Sequence, residues 1–431
     1  MSPFAGKCFA VVGLGRAGMP AALRLREFGA DVLVWDDGEA SREAAAAEGF
    51  AVGRPSAAAR KFDALVLSPG IPHLLPKPHA EAVWARANAV PILTDAELLF
   101  QAVRALGSKA RFVGITGTNG KSTTTALLAH ILTMAGIANA AGANLGPAAL
   151  SLPILPDAGV YVLEMSSYML ERLASLRFDV AIMLNLSPDH LDRHGDMAGY
   201  QAAKREIFAR QDESCTAIIG IEDNPSLQMA EWLAGQPAKF VAISSEYYET
   251  PANRALAGKH NAQNAFAAAE AAKALGVSED AILKGIQSFP GLAHRAQEVA
   301  VRDGVRFIND SKATNADAAS RAMGVFEHFV WIAGGVAKAG GIEALAPFFS
   351  RIEKAFLIGQ DGEAFARRLS EAGVANDYVG TLENAVPAAF AAAKAGSGVV
   401  LFSPASASFD QFPNFEARGE RFAALAKGGA A

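Results

Sequence analysis

The chain has 431 residues, 51% hydrophobic and 19% charged, a balance that excludes a disordered or fibrous protein. Its 39 Lys and Arg against 44 Asp and Glu leave a net charge of −5, which argues against a general nucleic-acid binder. Two cysteines, Cys8 and Cys215, cannot build a disulfide scaffold, so the cytoplasm is the expected location.

The first hundred residues alternate strand and helix. Cys8–Val12 reads as a buried strand, Met19–Phe28 as a helix, and Asp31–Trp35 and Ala64–Leu67 as further strands. Ser68-Pro69-Gly70 ends the last of these in a turn. A second unit begins near Arg111, where Phe112–Ile115 leads into a Gly/Thr loop and a helix from about Lys121. Strands are expected at Val160–Leu163, Val180–Leu184 and Ala217–Ile219, with helices at Tyr200–Phe208 and Ala262–Leu275. A third unit opens after Phe289-Pro290-Gly291, with a short strand before Asn309 and others at Phe329–Ile332, Ala355–Ile358 and Val399–Phe402. This alternation predicts an α/β protein of parallel sheets with helices on their faces. No membrane span is expected: Phe9–Gly15 is too short. The uncharged stretch from Ser122 to Pro156 is broken by Gly142, Gly146, Pro147 and Pro153.

Gly13, Gly15 and Gly18 form a GxGxxG between a strand and a helix, and Asp36 ends the next strand. Such a loop brings backbone N–H groups and a helix N-terminus to a diphosphate. The ligand could be a dinucleotide or another diphosphate, such as a nucleotide sugar. A second loop, Gly117-Thr118-Asn119-Gly120-Lys121-Ser122-Thr123, also joins a strand to a helix. Its N–H groups can cradle phosphates, Lys121 can neutralise β/γ oxygens, and Ser122 or Thr123 can hold Mg²⁺. Its spacing departs from the usual P-loop, because Ile115 stands where the first glycine is expected. ATP is the phosphate compound expected here.

Polar residues also gather where strands end. Glu164 closes one strand, and the run Asn185 to His194 crowds acid and imidazole at another. With a phosphate loop nearby, Glu164 and His190 become candidate Mg²⁺ ligands, though Mg²⁺ prefers oxygen donors. Lys204 follows on the next helix. In the third unit, Asp310 could accept from a ribose, while Lys312 and Arg295 could meet phosphate. Gly334-Gly335-Val336-Ala337-Lys338 and the hydroxyl-rich Ser403–Phe412 follow two later strands.

Together these residues resemble the Mur ligase family of ATP-dependent amide-forming enzymes. The marks are GTNGKST at 117–123, LEMSS at 163–167, SPDHLDRHG at 187–195, HNAQN at 260–264, HR at 294–295 and NDSKATN at 309–315. SPASASFDQFPNFEARG, from Ser403 to Gly419, is most similar to the D-glutamate-adding branch, and GLGRAG and SPGI agree with it.

The resemblance implies three domains: a Rossmann-like one at 1–98, a central P-loop-type ATPase with a parallel sheet at 99–291, and a Rossmann-like one at 292–431. It implies that ATP phosphorylates the carboxylate of UDP-N-acetylmuramoyl-L-alanine and that D-glutamate's amine attacks the acyl phosphate. Lys121, Glu164, His190 and Lys204 are the implied catalytic residues. Gly117–Thr123, Asn261, Asn264, Arg295, Asp310 and Lys312 would bind ATP. Gly15, Arg16, Ala17, Asp36, Ser68, Gly70, Asn144 and His190 would hold the UDP substrate. Thr314, Lys338, Ser408 and Phe415 would hold D-glutamate. Two Mg²⁺ ions are implied, one on Ser122 (or Thr123) and Glu164, the other on His190 and a carbamylated Lys204. Asp37-Gly38 departs from the family pattern, which places a basic residue there, and Ala17 lacks a hydroxyl found in some members; Arg16 could supply the missing charge. A monomer with no nucleic-acid or membrane partner is expected. A nicotinamide-dependent oxidoreductase, a slow ATP-hydrolysing regulator and a folylpolyglutamate-synthetase-type ligase are the competing readings.

Overall fold

The structure is a computed structural model that describes residues 2–256, 258–338 and 340–428. The chain forms two compact units, Met1–Phe289 and Pro290–Ala431. The first carries two parallel sheets. Strands β1 (Cys8–Val12), β2 (Asp31–Trp35), β3 (Ala51–Val52), β4 (Ala64–Leu67) and β5 (Ile92–Leu93) make one, in the order β3-β2-β1-β4-β5. Strands β6 (Arg111–Thr116), β7 (Asn139–Ala143), β8 (Val160–Glu164), β9 (Val180–Met183), β10 (Thr216–Gly220) and β11 (Lys239–Ile243) make the other, ordered β11-β10-β9-β6-β8-β7. Runs such as Ala-Leu-Val-Leu in β4 and Val-Ala-Ile-Met in β9 are buried throughout. Parallel strands covered by helices on both faces need such unbroken apolar runs.

The second unit holds β12 (Gln297–Arg302), β13 (Val305–Asn309), β14 (Phe329–Gly334), β15 (Val336–Ala337), β16 (Ile352–Ile358), β17 (Asn376–Gly380), β18 (Val399–Phe402) and β19 (Ser406–Ala407). Its main sheet runs β12-β13-β18-β14-β16-β17, and β15 pairs with β19 as a separate ribbon. The main sheet is parallel except at its edge, where β12 runs antiparallel to β13. Asp303 (φ 50°) and Gly304 (φ 83°) close that hairpin with two positive-φ residues. A two-residue turn of this kind matches the strand twist and returns the chain antiparallel. Among the described residues, no helix is long and apolar enough to cross a membrane.

Candidate active site

A cleft of about 680 Å³ lies at the C-terminal ends of β1, β2 and β4, where the strand order reverses around β1. Open parallel sheets place ligands at such a point. Gly13 (φ 87°) turns the chain out of β1, and Gly18 opens the following helix. A Cβ on Gly18 would meet the Gly13 carbonyl oxygen at 1.7 Å, so the close packing of loop and helix requires glycine. Ser68 Oγ donates to the Gly13 carbonyl (2.8 Å), and the Asp36 carboxylate accepts from Leu14 N–H (2.6 Å) and Gly38 N–H (2.8 Å). Gly15, Arg16, Ala17, Asp36, Ser68, Gly70 and Asn144 line this single cleft; His190, predicted with them, does not. Asp37 and His79 also line it, and sequence reasoning assigned neither a role.

Arg172 likewise carries no sequence signal of its own. It is 3% exposed, and its guanidinium donates to the carbonyls of Leu67 (2.9 Å), Ser68 (3.2 Å) and Ile71 (2.8 Å). Burial pulls its pKa down to about 10, and burial together with the Arg172 charge pulls neighbouring His73 down to about 4. Arg172 therefore fixes the loop that carries Ser68. Arg172→Ala strands buried carbonyls and should lower the unfolding free energy by about 3 kcal/mol. A denaturant midpoint equal to that of the wild type would contradict this role.

The second cluster surrounds the loop after β6. Thr118 N–H donates to the Asn185 carbonyl (2.9 Å), Asn119 N–H to Asn185 Oδ1 (2.8 Å), and Ser187 N–H to Thr118 Oγ1 (3.0 Å). Asn185 thus braces the loop from the end of β9, a role that its place in a polar run did not reveal. The helix Lys121–Met134 begins at Gly120 (φ 85°), and its first-turn N–H groups lack intrahelical acceptors, as at any helix start. A Cβ on Gly120 would lie 2.2 Å from Asn264 Oδ1, which places Asn264 directly against the loop. Asn264 Nδ2 donates to Asn261 Oδ1 (3.1 Å), so these two predicted residues arrive together.

Lys121 Nζ donates to the carbonyls of Gly117 and Thr118, both at 2.8 Å. Lys204, 1% exposed, donates to that same Gly117 oxygen (2.9 Å) and to Thr116 Oγ1 (3.1 Å). Two amines on one oxygen stand within about 6 Å of each other, and as cations they would repel by roughly 3 kcal/mol at an effective dielectric of ~20. Burial first, and then the Lys121 charge, hold the Lys204 amine well below the ordinary lysine range.

Glu164, at the end of β8, is 2% exposed. Its Oε1 accepts from Asn144 Nδ2 (2.6 Å), while Oε2 is buried without a partner. An unmatched carboxylate oxygen beside a phosphate loop suits a hard divalent cation. The donor set of Glu164 with Ser122 or Thr123 therefore fits Mg²⁺. His190, another predicted ligand, is more open to solvent than Glu164. Its backbone is left-handed (φ 52°), its side chain is 47% exposed, and its Nε2 lies 3.4 Å from Asp189 Oδ2. His194 is instead the enclosed imidazole, bonded to Ser167 Oγ (2.8 Å) and Glu171 Oε1 (3.1 Å). Among the described residues, no group of three or more His, Cys, Asp or Glu is arranged to hold a metal.

In the second unit, Asp310 follows β13 and accepts from Ser403 Oγ (2.7 Å) and Ala296 N–H (3.1 Å). Burial pushes its carboxyl up to about 7. A folded-state pKa above the unfolded value means that the folded protein binds the extra proton between about pH 4 and 7. Its contribution to stability is therefore lost as pH rises through that window. Asp310→Asn should raise the melting temperature relative to wild type more at pH 8 than at pH 5; an equal difference at both would refute the shift. Lys312 Nζ lies 5.7 Å from the Phe415 ring, and the β15–β19 ribbon brings the segments of Lys338 and Ser408 side by side. Lys338 also lines a recess of about 420 Å³ with Asp361 and Arg368. Arg418, 1% exposed, donates to Ser311 Oγ (3.1 Å) and to the Ser311 carbonyl (2.9 Å), an anchor without a sequence signal of its own.

A Rossmann-like sheet, a phosphate loop on a second parallel sheet and a third α/β sheet are the parts of a multi-sheet nucleotide-binding protein. Residues 115–254 match the Mur ligase middle domain, and residues 3–104 match the NADPH-binding domain of acetohydroxy acid isomeroreductase. The chain is 47% identical over 456 aligned positions to the UDP-N-acetylmuramoylalanine–D-glutamate ligase of Caulobacter vibrioides NA1000, covering 99% of this chain and 96% of that protein. It is 46% identical to the protein of that description from Paramagnetospirillum magneticum, covering 99% and 98%. The solved structure of MurF from Acinetobacter baumannii superposes with a TM-score of 0.58 at 17% identity, covering 98% of this chain and 91% of that one, a likeness of fold. The chain belongs to the Mur ligase family, in the branch of these D-glutamate ligases. The nicotinamide reading is not favoured, since its match ends at residue 104 while the ligases match throughout.

Proposed function

We propose that this protein joins D-glutamate to UDP-N-acetylmuramoyl-L-alanine at the expense of ATP, in the cytoplasmic synthesis of peptidoglycan precursors. The observation that carries this reading is the near-full-length identity to ligases of that description, together with a built phosphate loop. A carboxylate oxygen of the muramoyl-alanine attacks the γ-phosphorus and ADP departs. The D-glutamate amine then attacks the acyl carbon, the C–O bond to phosphate breaks, and the amine loses a proton.

Catalysis here is positioning and charge neutralisation. The helix N-terminus after Gly120 and the Lys121 ammonium serve the β/γ oxygens, and Asn261 and Asn264 support the nucleotide. Ser122 (or Thr123) and Glu164 would hold one Mg²⁺, and His190 with Lys204 would serve a second. Bound there, the metal supplies neutralisation of triphosphate charge. A neutral Lys204 amine can add to CO₂: an N–C bond forms, one proton leaves, and an anionic carbamate replaces the amine.

The glycine-loop cleft would take the UDP substrate. Arg295, Asp310 and Lys312 are assigned to ATP, and Thr314, Lys338, Ser408 and Phe415 to D-glutamate. We take the working unit to be a monomer. Coupled detection of ADP tests the reading: release should require UDP-N-acetylmuramoyl-L-alanine. ADP formed at one rate with and without that substrate would instead support the regulatory ATPase reading.

A further inference from the structure

We propose that the turn Gly359–Asp361 sets the geometry of the D-glutamate site, with Asp361 as a positioning residue that acts through the strand leading to Lys338. The inference rests on the assignment of Lys338 and Ser408 to D-glutamate. These two residues flank the ribbon of β15 and β19, which pairs only Val336 with Ala407 and Ala337 with Ser406. Two residue pairs carry too few hydrogen bonds to hold themselves together in water. Both strands are instead tied to one turn, the segment that follows β16.

Asp361 N–H donates to the Gly335 carbonyl (3.0 Å), and its Oδ2 accepts from Ala337 N–H (2.7 Å). One residue thus grips β15 before its start and at its end, and fixes the backbone that enters Lys338. On the other strand, Asp410 lies two residues beyond Ser408, and its Oδ2 accepts from Gln360 N–H (2.9 Å). The approach is close. A Cβ on Gly359 (φ 71°) would overlap Asp410 Oδ2 and lie 2.7 Å from Gly335 Cα, so the turn requires glycine there. Asp361 also stands at the N-cap of the helix Gly362–Glu371, where an Asp ordinarily bonds N–H groups of its own first turn. It makes no such bond, and its carboxylate reaches Ala337 instead. Asn315 and Asn414, the N-caps of Ala316–Met323 and Phe415–Ala426, do bond their own helices. A carboxylate turned from its own helix to the loop of Lys338 serves that loop's placement rather than the helix. Lys338 and Asp361 accordingly line one recess.

Steady-state turnover of the full chain, varying D-glutamate, ATP and the UDP substrate in turn, tests this. Asp361→Ala should raise the KM for D-glutamate about 10-fold, the effect of one lost hydrogen bond. Its kcat and its other two KM values should stay within about twofold of wild type. Asp361→Asn keeps an oxygen that can accept from Ala337 N–H, and its D-glutamate KM should stay within about threefold. Asp361→Ser can cap its own helix but is one bond short of Ala337, so it should melt like wild type and still raise that KM. Lys338→Ala should raise it too, and adding Asp361→Ala should then raise it little further, because the two act through one contact. Glu343→Gln breaks an exposed ion pair with Arg368 on the same recess and should leave all three KM values unchanged. A wild-type D-glutamate KM in both Asp361→Ala and Asp361→Ser would overturn the assignment. So would equal losses for all three substrates, an Asp361→Asn enzyme as impaired as Asp361→Ala, or full additivity with Lys338→Ala. If Lys338→Ala itself leaves the D-glutamate KM unchanged, the reading of this site falls; an effect of Lys338→Ala without one at Asp361 overturns the inference alone.

Discussion

Lys121→Ala should fold normally and lose on the order of 10²–10³ in kcat, the effect of deleting one preorganised electrostatic group. The side chain spans the loop, its amine on the carbonyls of Gly117 and Thr118, so its removal exposes two loop oxygens to water rather than opening a core. What it takes away is the cation assigned to the γ-phosphate, where charge shifts during transfer. Lys121→Arg would keep the charge but not its compact shape, and should recover little. Stopped-flow or coupled measurement of ADP release, with circular dichroism to confirm folding, checks this. A well-folded Lys121→Ala enzyme with near-normal kcat would remove the loop from the mechanism.

Lys204→Arg should be as inactive as Lys204→Ala, because a guanidinium keeps its charge and cannot form a carbamate. The amine shares the Gly117 carbonyl with Lys121 and is buried, so a second cation there is disfavoured before any metal is considered. A short-chain carboxylic acid added to Lys204→Ala should restore part of the activity by replacing the lost anionic oxygen. Wild-type activity should also fall when CO₂ and bicarbonate are stripped from the buffer and return when they are restored. An active Lys204→Arg enzyme, or indifference to bicarbonate, would leave Lys204 as a hydrogen-bonding lysine of the loop.

Long apolar strands were the most legible part of the fold. Cys8–Val12, Asp31–Trp35, Ala64–Leu67 and Val399–Phe402 form strands over the spans their sequence predicts. Four-to-five-residue apolar runs closed by glycine or polar turns leave little choice in an α/β chain. Strand β7, Asn-Ala-Ala-Gly-Ala, was not legible, since small residues carry no β preference and pairing with β8 alone makes it a strand. Strand β12 is legible in principle: Asp303-Gly304 is a strong hairpin signal, although the alternation of strand and helix points to parallel pairing.

The site divides in the same way. Motif glycines and their neighbours could be read because backbone geometry demands particular residues, and seven of the eight predicted UDP contacts share one cleft. Arg172 and Asn185 carry no such signal, since each works through a partner far along the chain. Asp36 shows the limit most clearly. Its position at a strand end marks it as a candidate ligand carboxylate, but nothing in the sequence shows that it also accepts hydrogen bonds from Leu14 and Gly38 N–H.

The central claim is amide formation between UDP-N-acetylmuramoyl-L-alanine and D-glutamate through an acyl phosphate. Mass spectrometry of the product, from parallel reactions with ATP, Mg²⁺ and each glutamate enantiomer, tests it most directly. The account predicts one equivalent each of ADP and phosphate per glutamyl adduct, formed with D-glutamate and not with L-glutamate. Equal product from L-glutamate, or ADP release without any adduct, would contradict it.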